Sequence, residues 1–236
     1  MINNYLSSSI KNLMQAMPRL LALPLLCGLL SSPAFAEDIS LLPKYGSTVK
    51  NESQRSADER FLAGIDEQYK GDRKKAAQDA IRHGWQSLRQ GNSQEAMRRF
   101  NQTWLIDEGN AEALWGMGAV LGGNGKSAES LKLFKEAEPG LRDDIDFEVD
   151  YALALGSAAV DAKDEAALQL AYKRFAGIHK KAPQHTLNLQ NWAITLASTG
   201  NYAEAWKKII LAEATPRRAA IDPGFVAALQ KKMPRP

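Results

Sequence analysis

The sequence predicts an all-α fold, a stack of antiparallel helix pairs, and three observations carry that expectation. Beyond residue 55, strand-like alternation of apolar and polar residues is absent, while Ala, Leu, Lys, Glu and Gln dominate. Apolar residues return at helical spacing, as in Phe61, Leu62, Ile65 and Tyr69, and again in Ala77, Ala80, Ile81, Gly84, Trp85 and Leu88. The third observation is a repeat. Gly84, Gly91, Glu95 and Phe100 come back 34 residues later as Gly118, Gly125, Glu129 and Phe134, with Ala96 returning as Ser130. A step of 75 residues from the second set reaches Ala193, Gly200, Glu204, Ala205 and Ile209, which leaves room for one longer, degenerate unit between them.

From the N-terminus, residues 1–36 read as a secretory signal peptide. Lys11 and Arg19 make a positive start, "LLALPLLCGLL" is an apolar run too short for a bilayer span, and Ala34 and Ala36 supply the small-x-small site of cleavage before Glu37. Met1, Met14 and Met17 are all possible starts. Cys27 follows Leu26 rather than the small residue that lipidation needs, so a lipoprotein anchor fits poorly. Cleavage removes the only cysteine, and with it any disulfide, thiol nucleophile or Cys-ligated metal. It also takes Lys11 and Arg19, so the formal charge falls from +3 to +1, which gives no electrostatic reason to expect nucleic acid. No other long apolar run follows, so stable membrane insertion after cleavage is not expected.

Residues 37–55 are polar and aperiodic, and read as a flexible leader. The repeat domain spans 56–236. It opens with a lead-in helix, continues through clear units at about 77–110, 111–143 and 186–219, and includes the degenerate unit at about 144–185. Gly71, Gly91-Asn92, Gly109-Asn110, Gly125, Pro139-Gly140, Pro183 and Gly200-Asn201 mark the breaks, each a helix stop followed by a cap. At the C-terminus, Asp222 caps a final helix with Pro223 in its first position. Phe225, Val226 and Leu229 then cover the last unit, as the end of a repeat stack requires.

These units resemble the tetratricopeptide repeat, whose motif runs W-x2-L-G-x2-Y, then A-x3-F, then P. "HGWQSLRQGNSQEAMRRF" supplies Gly84, Ala96 and Phe100. "LWGMGAVLGGNGKSAESLKLF" supplies Leu114, Met117, Gly118, Leu121, Ser130 and Phe134, and "LQNWAITLASTGNYAEAWKKI" supplies Leu189, Trp192, Ala193, Leu196, Ala205 and Ile209. The small residues Gly84, Gly118 and Ala193 let the helices of a unit approach closely, with Ala96, Ser130 and Ala205 opposite them. Departures exist: Ala80 and Ser87 replace aromatics of the first unit, and the terminal proline is missing from all three clear units. The resemblance covers about two-thirds of the mature chain. It implies a right-handed superhelical stack and is nearly silent on function.

The stretch "VLGGNGKSAES", Val120 to Ser130, ends like a phosphate-binding loop. That motif needs a glycine where Val120 stands and a buried strand before it, whereas "AEALWGMGAVL" is helical in period. Gly125 fills the slot of Gly91 and Gly200, so the stretch reads as the turn inside the second unit and no nucleotide is expected. His83, His179 and His185 form no H-E-x-x-H, so no metal is expected either. Nothing resembles G-x-S-x-G, and the acids of "RDDID" and "DAKDE" read as helix caps. No catalytic residue, metal or cofactor is assigned.

The family's ligand-facing slots fall on the first helix of each unit. The residues carried over as partner-binding are Gln78, Ile81, Trp85 and Arg89, then Glu112 and Trp115, then Gln190 and Ile194. Trp85 and Trp115 either face this groove, where tryptophan suits a binding hot spot, or pack between neighbouring helices. Trp104, Trp192 and Trp206 fall on packing faces. Members that read acidic chaperone tails carry Lys and Asn where this chain has Ile81, Trp85, Trp115 and Ala119, so the groove is expected to be more apolar. The expectation is a non-catalytic, periplasmic adaptor or assembly module that binds another protein or peptide. The rivals are an inhibitor or immunity-type protein wrapping an exported toxin or enzyme, and an enzyme on a helical scaffold.

Overall fold

A computed structural model describes residues 38–47 and 49–236. The signal peptide, Cys27 and the cleavage site lie outside the described residues. Among the described residues ten α-helices follow one another: α1 (Glu52–Gln68), α2 (Arg73–Arg89), α3 (Ser93–Ile106), α4 (Ala111–Gly123), α5 (Ser127–Leu141), α6 (Ile145–Ala162), α7 (Glu165–Lys181), α8 (Thr186–Ser198), α9 (Tyr202–Glu213) and α10 (Pro223–Lys232). No strand occurs among the described residues. The helices pack as neighbouring pairs, α2 with α3, α4 with α5, α6 with α7 and α8 with α9. Each pair also leans on the next, because α3 meets α4, α5 meets α6 and α7 meets α8. The first helices touch in series, α2 to α4, α4 to α6 and α6 to α8.

The boundaries follow from cap chemistry. Asn51, Asp72, Asn92, Asn110, Asp144, Asp164 and Asp222 each accept an N–H of the following first turn through the side chain, satisfying a donor the helix leaves free. Within the pairs, Gly91, Gly125 and Gly200 adopt φ of 79°, 78° and 80°, the left-handed stop that lacks a Cβ penalty. In the pair α6–α7 the same stop falls on Lys163, at φ 54°. Its neighbour Asp164 still returns its N–H to Ala159 O at 2.9 Å, as Asn92 does to Ser87 O. The degenerate unit therefore closes its turn without the glycine that marks the others in sequence.

Inside each pair, small residues face large ones. A Cβ built on Gly84 would stand 2.6 Å from the Phe100 ring, and one on Gly118 would stand 3.1 Å from Phe134. Ser130 Oγ donates to Gly118 O at 2.7 Å, so its hydroxyl is satisfied inside the contact. Ala96, Ala205, Phe100 and Ile209 are fully buried. One cluster runs from Leu88 through Phe100, Met117 and Phe134 to Phe147 and Tyr151, and a second joins Ala193, Trp206 and Ile209 to Phe225 and Leu229 of the terminal helix. Phe61, Leu62, Ile65 and Tyr69 seat the lead-in helix against Ala76, Ala77 and Ile106.

Three expectations need correction. The first unit's leading helix begins at Arg73, after the Asp72 cap, four residues before position 77. Pro139-Gly140 is not a break, since α5 runs through both to Leu141. A proline there removes only one hydrogen bond in the last turn, and Gly140 lies where a Cβ would meet that of Ala111 at 2.7 Å. The leader, read as flexible over 37–55, is docked and partly helical over its described residues. Ile39–Leu41 forms a 3-10 turn and Pro43–Ser47 a tight turn with Lys44, Tyr45 and Gly46 at positive φ, both on α3, and α1 already starts at Glu52 behind a reciprocal cap between Asn51 and Gln54. The anchor is Asn101, fully buried, whose Nδ2 donates to both Ser40 O and Leu42 O at 2.8 Å. Arg98 reaches Asp38 at 3.2 Å, and Lys44 pairs with Glu136 of α5. Polarity without period hid this docking because its partners are main-chain carbonyls, which any leader sequence offers.

Candidate functional site

The first helices α2, α4 and α6 carry a ladder of rings. Trp85 on α2 meets Trp115 on α4 edge-on, with centroids 4.9 Å apart, and Trp115 meets Phe147 on α6 at 5.7 Å. Phe100 closes the other side of Trp85 at 5.1 Å. Each indole gives its N–H to a carboxylate on the next first helix. Trp85 Nε1 donates to Glu112 at 3.1 Å, and Trp115 Nε1 donates to Asp150 at 3.0 Å. Edge-on aromatic pairs of this kind stabilise beyond the area they bury, and the satisfied N–H removes a desolvation penalty.

The carboxylates have unusual surroundings. Burial raises the Glu112 carboxyl above its ordinary range, opposed by the Trp85 hydrogen bond and reinforced by nearby Asp144. Burial pushes Asp150 up to about 7, against the Trp115 hydrogen bond and with the added repulsion of Asp146. Asp146 moves the other way, because the His185 hydrogen bond at 3.0 Å favours its charged form. His185 serves twice, since its Nδ1 also accepts from Asn188 N at the start of α8. Glu112, Asp146, Asp150 and His185 thus make a polar strip running from α4 across α6 to the foot of α8.

The eight residues carried over as partner-binding divide into two groups. Gln78 is exposed, and Trp85, Arg89 and Glu112 are partly exposed. Trp85 and Glu112 are brought together by their hydrogen bond. Ile81, Trp115, Gln190 and Ile194 are buried at 4%, 7%, 0% and 5% exposure, so their side chains offer a partner no surface. Each of the last three has an internal task. Trp115 is held between Trp85 and Phe147. Gln190 Oε1 accepts the N–H of Asp222 at 2.6 Å and so latches the terminal helix, while Ile194 belongs to the cluster beneath that helix. Of the eight, the accessible ones, Gln78, Trp85, Arg89 and Glu112, are mostly polar, against the apolar surface expected. Trp206 is buried and donates to Met233 O at 3.0 Å, and Trp104 and Trp192 are partly buried against the core clusters.

Residues that sequence reasoning missed come from the degenerate unit. Asp146, Asp150 and His185 were invisible as a site because no repeat register reaches residues 144–185. The one sequence signal was the pair of acids beginning α6, which also serves as a cap. The stretch from Val120 to Ser130 behaves as a turn. Gly122 and Gly123 end α4, Lys126 is exposed, and Ser127 starts α5 with its hydroxyl bound to Asp161 of α6. Among the described residues no group of three or more His, Cys, Asp or Glu side chains is placed to hold a metal. No helix among them is long and apolar enough to cross a membrane. No known family model matches the chain, and no curated protein matches it.

Proposed function

We propose that the chain is an exported, periplasmic helical-repeat module of tetratricopeptide type, a right-handed superhelical stack that binds a peptide or envelope-protein partner as an adaptor or assembly factor. The observation that supports this best is the succession of four helix pairs, the first two of which share a small-against-large contact, Gly84 with Phe100 and Gly118 with Phe134. Stacks of this kind bind along the surface made by their first helices. On that surface Gln78, Trp85, Arg89 and Glu112 retain accessible area, and Asp146 and Asp150 extend it. The partner would press an apolar or aromatic side chain on the Trp85 ring and offer a donor to the carboxylates.

Crosslinking in intact periplasm followed by mass spectrometry tests the proposal. The captured form should begin at Glu37. One partner should be captured by the wild type and lost from Trp85→Ala and Glu112→Gln, with circular dichroism showing both variants folded. Capture unaffected by both substitutions would refute this surface, and a retained Met1 would refute export by cleavage.

A further inference from the structure

A second surface lies on another face of α6. Helices α5 and α7 stand apart over it and leave an open trough of about 700 Å³. Its floor is Tyr151, Leu155, Ala158, Ala159 and Ala162 of α6, a stripe at helical spacing. Ala128 and Leu131 form the α5 wall, and Ala167 and Leu170 the α7 wall. Leu170 is 56% exposed, among the few large apolar side chains so open to solvent. The trough lies on the pair α6–α7, 18 and 17 residues long, the unit whose sequence departs from the repeat.

The rim is mostly basic. Lys132 and Lys135 line it from α5 and Lys173 from α7. All three are exposed. None of them is among the ion pairs of the described residues, although Arg98, Arg99, Arg174, Lys207 and Arg235 all have acidic partners. Arg174, the fourth cation here, is already held by Glu138 and Glu148 and lies 4.1 Å over the Tyr151 ring. Among the described residues lining it the one acid, Asp164, is engaged as the cap of α7. Apolar floor and uncompensated lysines on both walls ask for an apolar stripe flanked by acids.

We propose that this trough docks an amphipathic helix from another protein, with an apolar stripe seated on the α6 alanines and Asp or Glu side chains on both flanks meeting Lys132, Lys135 and Lys173. The floor from Tyr151 to Ala162 runs about 16 Å along α6, so it takes about three helical turns of the partner. Alanines at Ala158, Ala159, Ala162 and Ala167 let a helix axis come close, which an extended strand would not exploit, and among the described residues no sheet edge is present to receive one. The site is independent of the Trp85 surface, so either can fail alone.

The probe is a fluorescein-labelled, stapled 14-residue helix with Leu along one stripe and Glu on both flanks. Its controls are a scrambled peptide and the same helix with Lys in place of Glu. Fluorescence anisotropy against the full chain should show saturable binding of the Glu helix, weakened by salt, with the Lys helix at least tenfold weaker. Leu170→Asp should weaken the Glu helix at least tenfold. Lys132→Glu combined with Lys173→Glu should invert the preference so that the Lys helix binds better, a result no folding defect produces. All the substituted side chains are exposed, and circular dichroism checks that the variants fold. Equal binding of the scrambled peptide, or indifference to both sets of variants, would overturn the proposal. So would a homodimer in sedimentation velocity that Leu170→Asp dissolves, which would make a second copy the occupant. Binding to phosphatidylglycerol vesicles through Leu170, with none to the Glu helix, would overturn it in favour of a lipid surface.

Discussion

Gly116→Ala should destabilise the protein, although alanine is by about 1 kcal/mol the better helix former. Gly116 is on α4, and a Cβ there would fall 2.3, 2.4 and 2.5 Å from Cε1, Cζ and Cδ1 of Phe100. Ordinary carbon contacts sit near 3.5–4 Å, so the ring must retreat by more than 1 Å. It has nowhere to go. Phe100 is fully buried, Gly84 presses the same ring from α2 with a virtual Cβ at 2.6 Å, and Trp85 stands edge-on at 5.1 Å. Overpacking of a closed core typically costs about 1–3 kcal/mol, and a ring with no room to retreat belongs in the upper part of that range, before the helix gain is subtracted. The net loss should be about 1–2 kcal/mol, read as a lower urea midpoint by far-UV circular dichroism at unchanged slope. The same substitution at Gly64 or Gly177, where a Cβ would find no atom within 4 Å, should stabilise by about 0.4–1 kcal/mol. Phe100→Leu combined with Gly116→Ala should recover part of the loss, giving a coupling term that two independent sites would lack. A Gly116→Ala protein as stable as wild type would refute the proposed jam of Phe100 between α2 and α4.

Two other outcomes are open to measurement. Because burial raises Asp150 from 3.8 to about 7, the folded state holds this proton more tightly than the unfolded chain, so its contribution to stability declines as pH rises through that window and is flat on either side. Asn at 150 can still accept the Trp115 N–H without ionising, so Asp150→Asn should be more stable than wild type at pH 8, by roughly 2–4 kcal/mol, and lose the advantage near pH 4; parallel profiles would refute the buried-acid account. Lys126→Ala should change stability by less than about 0.5 kcal/mol, since Lys126 is exposed in a turn, and equilibrium dialysis of the wild type with ATP and magnesium should find no binding; micromolar affinity lost in that variant would overturn the turn reading.

Helical class, pairing and the inner turns were legible because they rest on local chemistry. Gly91, Gly125 and Gly200 are stops in any context that needs a positive φ, and the Asn and Asp caps act within three residues. The close approach at Gly84 and Gly118 was legible through the repeat, which puts small and large residues at fixed offsets. The site was legible only in part. The register placed Trp85 and Glu112 on one surface, yet it could not separate an exposed slot from one covered by the next helix. Trp115 and Ile194 are covered because the neighbouring pair supplies Phe147 and the terminal helix supplies Phe225. The α6–α7 pair was least readable. Its stop is a lysine, the pair is the longest at 18 and 17 residues, and its polar contacts, such as His185 with Asp146, join residues 39 apart with no spacing rule.

The docked leader has a consequence for the order of assembly. The chain is made from its N-terminus, yet Ser40 and Leu42 must wait some sixty residues for Asn101, and Lys44 must wait for Glu136. Every helix pair, by contrast, can close on sequence neighbours as soon as they appear. The leader contacts are therefore the most non-local of the N-terminal half, and they bind a surface that does not exist until α3 and α5 have formed. Such a segment acts as a fastener applied to a finished frame. It ties two consecutive pairs together from outside, adding to the contacts of Phe100 with Gly116 and of Trp85 with Trp115 that already join them.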